Sequence, residues 1–271
     1  MISTDVEQHL NAKLEWAEIH IYNLQEAWDR FCKDGYRVAS NDDHQTGDRT
    51  YYLADVRPIE FPFPLIIGDA VHSLRSALDH LAYHVMSITP GITAETLGHV
   101  YFPIGKDAKE YKTAKTRIKR MRQDAKKAID DIEPYGGGAG ETLWHIHSLD
   151  IIDKHKLLIA VGSTNRFQSM APSRIADTKS KFLGIKLGTY PPAQDAILFR
   201  TAPTQMIFPL KTGDILAVIP KSEVNEHMNF TFEIAFGEPE IVRGHPVIET
   251  LYRMAEIIRY IIKRFIYQGW T

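Results

Sequence analysis

The segment from Pro64 to Met86 sets the terms for the rest of the chain. Within it Ile67, Val71, Leu74, Leu78, Leu81 and Val85 recur at three- and four-residue steps. At about 100° per residue that spacing gathers them into one stripe of an amphipathic helix. Such a stripe has to be covered by other apolar elements, so the chain must supply them. The opposite arc carries Gly68, Asp69, His72, Arg75, Ser76, Asp79, His80 and Tyr83, with neither Lys nor Glu. A face that only meets solvent is usually rich in those two. This one reads as a site.

Two further helices are positioned to cover the stripe. Thr4–Phe31 repeats Leu10, Leu14, Ala17, Ile21, Leu24 and Trp28, and His245–Phe265 repeats Val247, Leu251, Met254, Ile258, Ile261 and Phe265. Between Tyr36 and Val56 two alternating runs flank the turn-rich NDDHQTGD, the pattern of a β-hairpin. From Leu158 to about Gly237 the period changes. LLIAVG, KFLGIKLG, AILFR, MIFPL, DILAVIP and NFTFEIAFG predict short strands in an antiparallel sheet or small sandwich. The expected class is therefore α+β. It comprises a helical bundle over 1–159 with a hairpin near 36–56, a β unit over 160–240, and a C-terminal helix in 241–271 that packs back on the bundle.

Two internal segments carry charge in unusual ways. Thr142–Leu158 reads as a helix whose apolar residues Leu143, Trp144, Ile151 and Leu158 share an arc with His147, Asp150 and Lys154. Charged groups inside a buried face need partners, and Asp150 can reach His147 at i−3 and Lys154 at i+4. Asp107–Ile132 reads as one helix. The stretch Lys106–Lys127 holds ten basic residues against Asp107, Glu110 and Asp124, which makes Lys115, Lys119, Arg120 and Arg122 candidate contacts for a polyanion. In that stretch only Tyr111 offers a ring, so no single-strand stacking platform is expected there. PYGGGAGE (Pro134–Glu141) lacks the Lys-Ser/Thr of a phosphate loop and reads as a hinge or linker.

Composition narrows the function classes. Net charge is −2 at neutral pH, so no global field draws in nucleic acid or anionic lipid. Cys32 is the only cysteine, which excludes an internal disulfide and a Cys-rich zinc site. No uncharged apolar run is long enough to span a bilayer and the N-terminus has no signal pattern. A cytoplasmic protein without a membrane partner is the expectation.

GDAVHSLRSALDHLAYHV (Gly68–Val85) and LWHIHSLDIIDKHKLL (Leu143–Leu158) together resemble a family of uncharacterised bacterial proteins carrying G-D-x-x-H-x-L-R-x-A-L-D-H-L and L-D-x-x-D-K-H in that order. More loosely, Arg75-Ser76-Ala77-Leu78-Asp79-His80 resembles the Arg-x4–6-His signature of HEPN proteins, helical ribonucleases that need no metal. That resemblance implies RNA as partner, a homodimeric site, Arg75 on the phosphate and His80 acting on the ribose hydroxyl. Positions i and i+5 stand about 140° apart on an ideal helix, so Arg75 and His80 flank the polar arc.

Three functions are open at this level. The first is metal-independent phosphodiester cleavage by Arg75 and His80, with His72 as a second base and no cofactor. The second is a metal-dependent hydrolase drawing ligands from His72, Asp79, His147, Asp150, Asp153 and His155. The third is a non-catalytic binding or structural module, in which Asp79, His147, Asp150 and Lys154 form a buried polar network between helices.

Overall fold

A computed structural model of the chain describes residues 4–59, 61–165, 167–168, 183–184, 198–199, 206–224 and 230–270. Most of the expected KFLGIKLG and AILFR runs lie outside those residues. Helices are α1 (Thr4–Phe31), α2 (Pro62–Ser87), α3 (Ala94–Leu97), α4 (Ala108–Ala114), α5 (Gln123–Asp130), α6 (Glu141–Asp153) and α7 (Val247–Tyr267). Strands are β1 (Tyr36–Asp42), β2 (Arg49–Val56), β3 (Ala160–Asn165), β4 (Phe167–Gln168), β5 (Leu183–Gly184), β6 (Leu198–Phe199), β7 (Met206–Ile207), β8 (Ile215–Ile219) and β9 (Glu233–Phe236). The fold is α+β, as the periodicities require.

The apolar stripe of α2 organises the core. Ile67, Val71, Leu74, Leu78, Leu81 and Val85 are all fully buried, and Ala70, Ala77 and Ala82 extend the covered surface beyond one stripe. The extension has a cause: α1, α6 and α7 all pack on α2, and α7 also packs on α1. Small side chains let three neighbours approach one helix. α7 thus closes the bundle, as expected, and its Arg259 pairs with Glu18 of α1.

The hairpin β1–β2 forms in the expected place and does not stand alone. β2 pairs antiparallel with β8, giving a sheet in the order β1-β2-β8-β4, with the short β4–β8 pairing parallel. A two-stranded hairpin is marginal in water, and the exposed edge of β2 is covered by a strand from the later β unit. A second sheet, β7-β3-β9, is antiparallel. Both are fixed to the bundle by aromatic rings. Trp28 and Phe31 of α1, Tyr36 of β1 and Phe63 of α2 pack edge-on or stacked, and Trp28 Nε1 donates to the Phe232 carbonyl at 3.0 Å.

Two expectations change. Asp107–Ile132 is not one helix: α4 ends at Ala114, a 3-10 turn covers Lys115–Ile118, and α5 starts at Gln123. A continuous helix would align Lys115 with Lys119 and stack Arg117 near Arg120, and like charges at these spacings destabilise it. The Pro134–Glu141 stretch is tied down rather than a linker. Gly105 N–H donates to the Pro134 carbonyl, Gly136 N–H to the Gly105 carbonyl, and the N–H groups of Gly137 and Ala139 to the Glu141 and Glu133 carboxylates. Gly137 takes φ 81°, a left-handed conformation that other residues resist. The loop therefore fixes the start of α6 against the segment that leads into α4.

Candidate functional site

α2 and α6 meet in an antiparallel ladder built from the polar arc. Gly68 faces Asp153, His72 faces Asp150, and Arg75 faces His147. At Gly68 an added Cβ would run into the Asp153 carboxylate, so this rung needs the missing side chain. At the next, His72 Nδ1 lies 2.9 Å from Asp150 Oδ1, and Lys154 Nζ donates to Asp150 Oδ2 at 2.6 Å. Asp150 is 3% exposed, whereas the His72 and Lys154 side chains are each more than half exposed. A buried carboxylate thus holds two solvent-facing nitrogen groups, one on each oxygen.

Arg75 is the buried hub of the third rung. Its Nη1 donates to Asp79 Oδ1 at 2.6 Å, its Nη2 to the Phe102 carbonyl at 3.1 Å, and its Nε to His147 Nδ1 at 3.3 Å. Asp79 Oδ1 also accepts the Phe102 N–H at 2.8 Å. Guanidinium nitrogens only donate, so His147 Nδ1 must accept and the proton of the neutral ring sits on Nε2. Burial, helped by Arg75, pushes His147 down to about 4, so the ring is neutral at neutral pH. Burial lifts the Asp79 carboxyl above the ordinary range, opposed by Arg75 and the Phe102 N–H. Burial and the neighbouring Asp69 and Asp150 carboxylates raise Asp153.

Part of this ladder opens on a cleft of about 1210 Å³; His72, Gly68 and Asp153 are not among the residues lining it. Arg75, Asp79, His147, Asp150 and Lys154 line it together with Thr93, Thr96, Tyr101, Arg117, Lys119 and Arg120. Arg120 Nη1 reaches Thr96 Oγ1 at 3.3 Å, and the Arg117 guanidinium lies over the Tyr101 ring, 5.1 Å from its centroid. The lining holds five cationic side chains against the carboxylates of Asp79, Glu95, Glu110 and Asp150. Because Arg75–Asp79 and Lys154–Asp150 are internal pairs, the cations open to a ligand are Arg117, Lys119 and Arg120.

The expected residues divide accordingly. His72, Arg75, Asp79, His147, Asp150 and Lys154 come together. His80 does not join them: it faces Lys13 and His9 of α1, with only Asp79 of the cluster acting on it, and its Nδ1 is buried without a hydrogen-bond partner among the described residues. The 140° between positions i and i+5 accounts for that separation. Of the four polyanion candidates, Lys119 and Arg120 line the cleft. Lys115 is instead paired with Asp130 at 2.7 Å, and Arg122 with Asp124 at 2.7 Å.

α6 also differs in detail. Its buried face is Leu143, Ile146, Leu149 and Asp150, while Ile151 is exposed and Leu158 lies beyond the helix end. Among the described residues no three His, Cys, Asp or Glu side chains are grouped to hold a metal ion, and no helix is long and apolar enough to cross a membrane. The six residues named as alternative metal ligands are thus not assembled as a ligand set. Sequence reasoning missed the contribution of Phe102, which acts through its backbone, and of Tyr101, which approaches Arg117 from outside the basic stretch. In a comparison with known proteins the chain matches no family model, no curated protein and no solved structure.

Proposed function

We propose that the protein engages a phosphodiester-bearing strand, RNA, in this cleft and acts on it without a metal ion. The observation that carries this reading is that Arg75, His147, Asp150 and Lys154 of the α2–α6 ladder line the same cleft as Arg117, Lys119 and Arg120. Pockets for single small molecules run to roughly 300–1,000 Å³. A larger trough rimmed by cations suits a chain of phosphates.

In this reading His72, and not His80, is the proton acceptor: it does not itself line the cleft, but it stands exposed beside it on Asp150, which does. Asp150 holds His72 by Nδ1, so the Nε2 lone pair is free to take the proton of a ribose 2′-hydroxyl. The oxygen then attacks the adjacent phosphorus, the bond to the 5′-oxygen breaks, and that oxygen takes a proton from water. Neutral His147 donates its Nε2–H to a phosphate oxygen as charge builds. Arg75 has every nitrogen engaged by the protein and acts as a positioning residue.

The second reading, a non-catalytic module, is favoured by that same saturation of Arg75. A self-satisfied network fixes helix register without any substrate. Labelled RNA incubated with the protein, with and without EDTA, separates the two. Cutting that survives EDTA and His80→Ala, and falls at least 100-fold in His72→Ala, is the expected result. Strand binding with no cutting under any condition supports the second reading, and cutting abolished by EDTA overturns the metal-free step.

A further inference from the structure

We infer that the part of the cleft lined by Tyr101 and Arg117 is a base-stacking subsite that selects single strands over duplexes. The inference rests on the reading of the cleft as a nucleic-acid trough and adds the class of strand.

Tyr101 is 46% exposed although its neighbour Phe102 is fully buried. The ring is not left out for want of core. The Phe102 peptide is anchored at both its N–H and its carbonyl by Asp79 and Arg75, which fixes the adjacent residue at the cleft wall. Over that ring lies the Arg117 guanidinium, 5.1 Å from the centroid. A planar cation on an aromatic ring offers a flat surface to a third planar group, and both residues line the cleft.

Tyr111, the ring inside the basic stretch, is unavailable for this. It is buried, and its hydroxyl donates to Asp130 at 2.7 Å. Lys119 and Arg120 line the same cleft and supply the charge that a sugar-phosphate backbone requires. Bases inside a duplex are already stacked and cannot reach a ring on a cleft wall, whereas an unpaired strand can splay a base onto it.

The test is a fluorescence-anisotropy titration of the full chain with a labelled 2′-O-methyl single strand, in which binding is read without cutting. The same strand annealed to its complement and a fully abasic strand of equal length are the comparisons. Because Tyr101 is exposed, Tyr101→Phe and Tyr101→Leu keep the fold, which thermal melting checks. Wild type and Tyr101→Phe should bind the single strand roughly tenfold or more tightly than the duplex or the abasic strand. Tyr101→Leu should lose that margin without weakening on the abasic strand. Equal binding of all three probes, or an unchanged Tyr101→Leu, overturns the stacking subsite. If in that case Lys119→Ala with Arg120→Ala still weakens every probe, the trough reading stands without it. No binding of any probe overturns both.

Discussion

Arg75 shows how one residue can be indispensable to a site without being available to a ligand. It is 7% exposed, and its three donor nitrogens each end on a different element. Removing it leaves the half-buried Asp79 beside no cation and strips the Phe102 carbonyl of its donor. Unmaking one partner of a buried pair costs about 3–5 kcal/mol. Arg75→Ala should therefore lower unfolding stability by roughly that amount in a urea titration. Arg75→Lys should lose less, about 1–3 kcal/mol, because a charge still faces Asp79 while the Phe102 and His147 acceptors go unmet. A loss below 1 kcal/mol in Arg75→Ala would contradict the buried-hub description. Helical spacing is a local property, so the sequence could group Arg75 with Asp79 and, separately, His147 with Asp150 and Lys154; it also grouped His80 with Arg75, and His80 stands apart. The sequence could not show Phe102, since backbone N–H and C=O groups carry no residue identity.

At the scale of elements, the stripe of α2 and the repeats of α1 and α7 were readable from periodicity alone, as was the β1–β2 hairpin from its turn residues. The 108–130 region was not. Its basic residues fit a helix by composition, and the structure breaks it where Lys115, Arg117, Lys119 and Arg120 would crowd. The break decides which cations serve the cleft. Arg117, Lys119 and Arg120 line it, while Lys115 and Arg122 are held by Asp130 and Asp124. Three phosphate contacts on a single strand give a slope near −2 in log affinity against log salt concentration. Affinity should thus drop roughly fifteenfold between 50 and 200 mM salt. Lys119→Ala should flatten the slope, and Lys115→Ala and Arg122→Ala should leave it unchanged. A slope moved equally by all three variants would mean that the broken helix acts as one undivided charged face.

For the whole molecule, buried neutral histidines make stability pH-dependent. Burial pushes both His145 and His147 down to about 4 from the ordinary 6.5. Between those values the unfolded chain binds more protons than the folded one, so stability is complete above pH 6.5 and falls as pH drops toward 4. Asp79 and Asp153, raised by burial, have the opposite sign at the acid end and offset part of the loss. After discounting for partial exposure, the two histidines should remove roughly 3 kcal/mol by pH 5. Urea midpoints at pH 7.5, 6 and 5 measure this, and a flat series would show that neither ring is sheltered. No composition figure signals such behaviour, because it depends on which of twelve histidines the packing encloses.

Both main-chain groups of Phe102 end on the Arg75–Asp79 pair, and Tyr101 is the next residue along. The buried polar cluster and the exposed ring at position 101 therefore hang from a single residue. Slackening the inner knot must let the outer aromatic drift, although no side chain bridges the distance. Strand selectivity and fold stability are in this way moored to the same point.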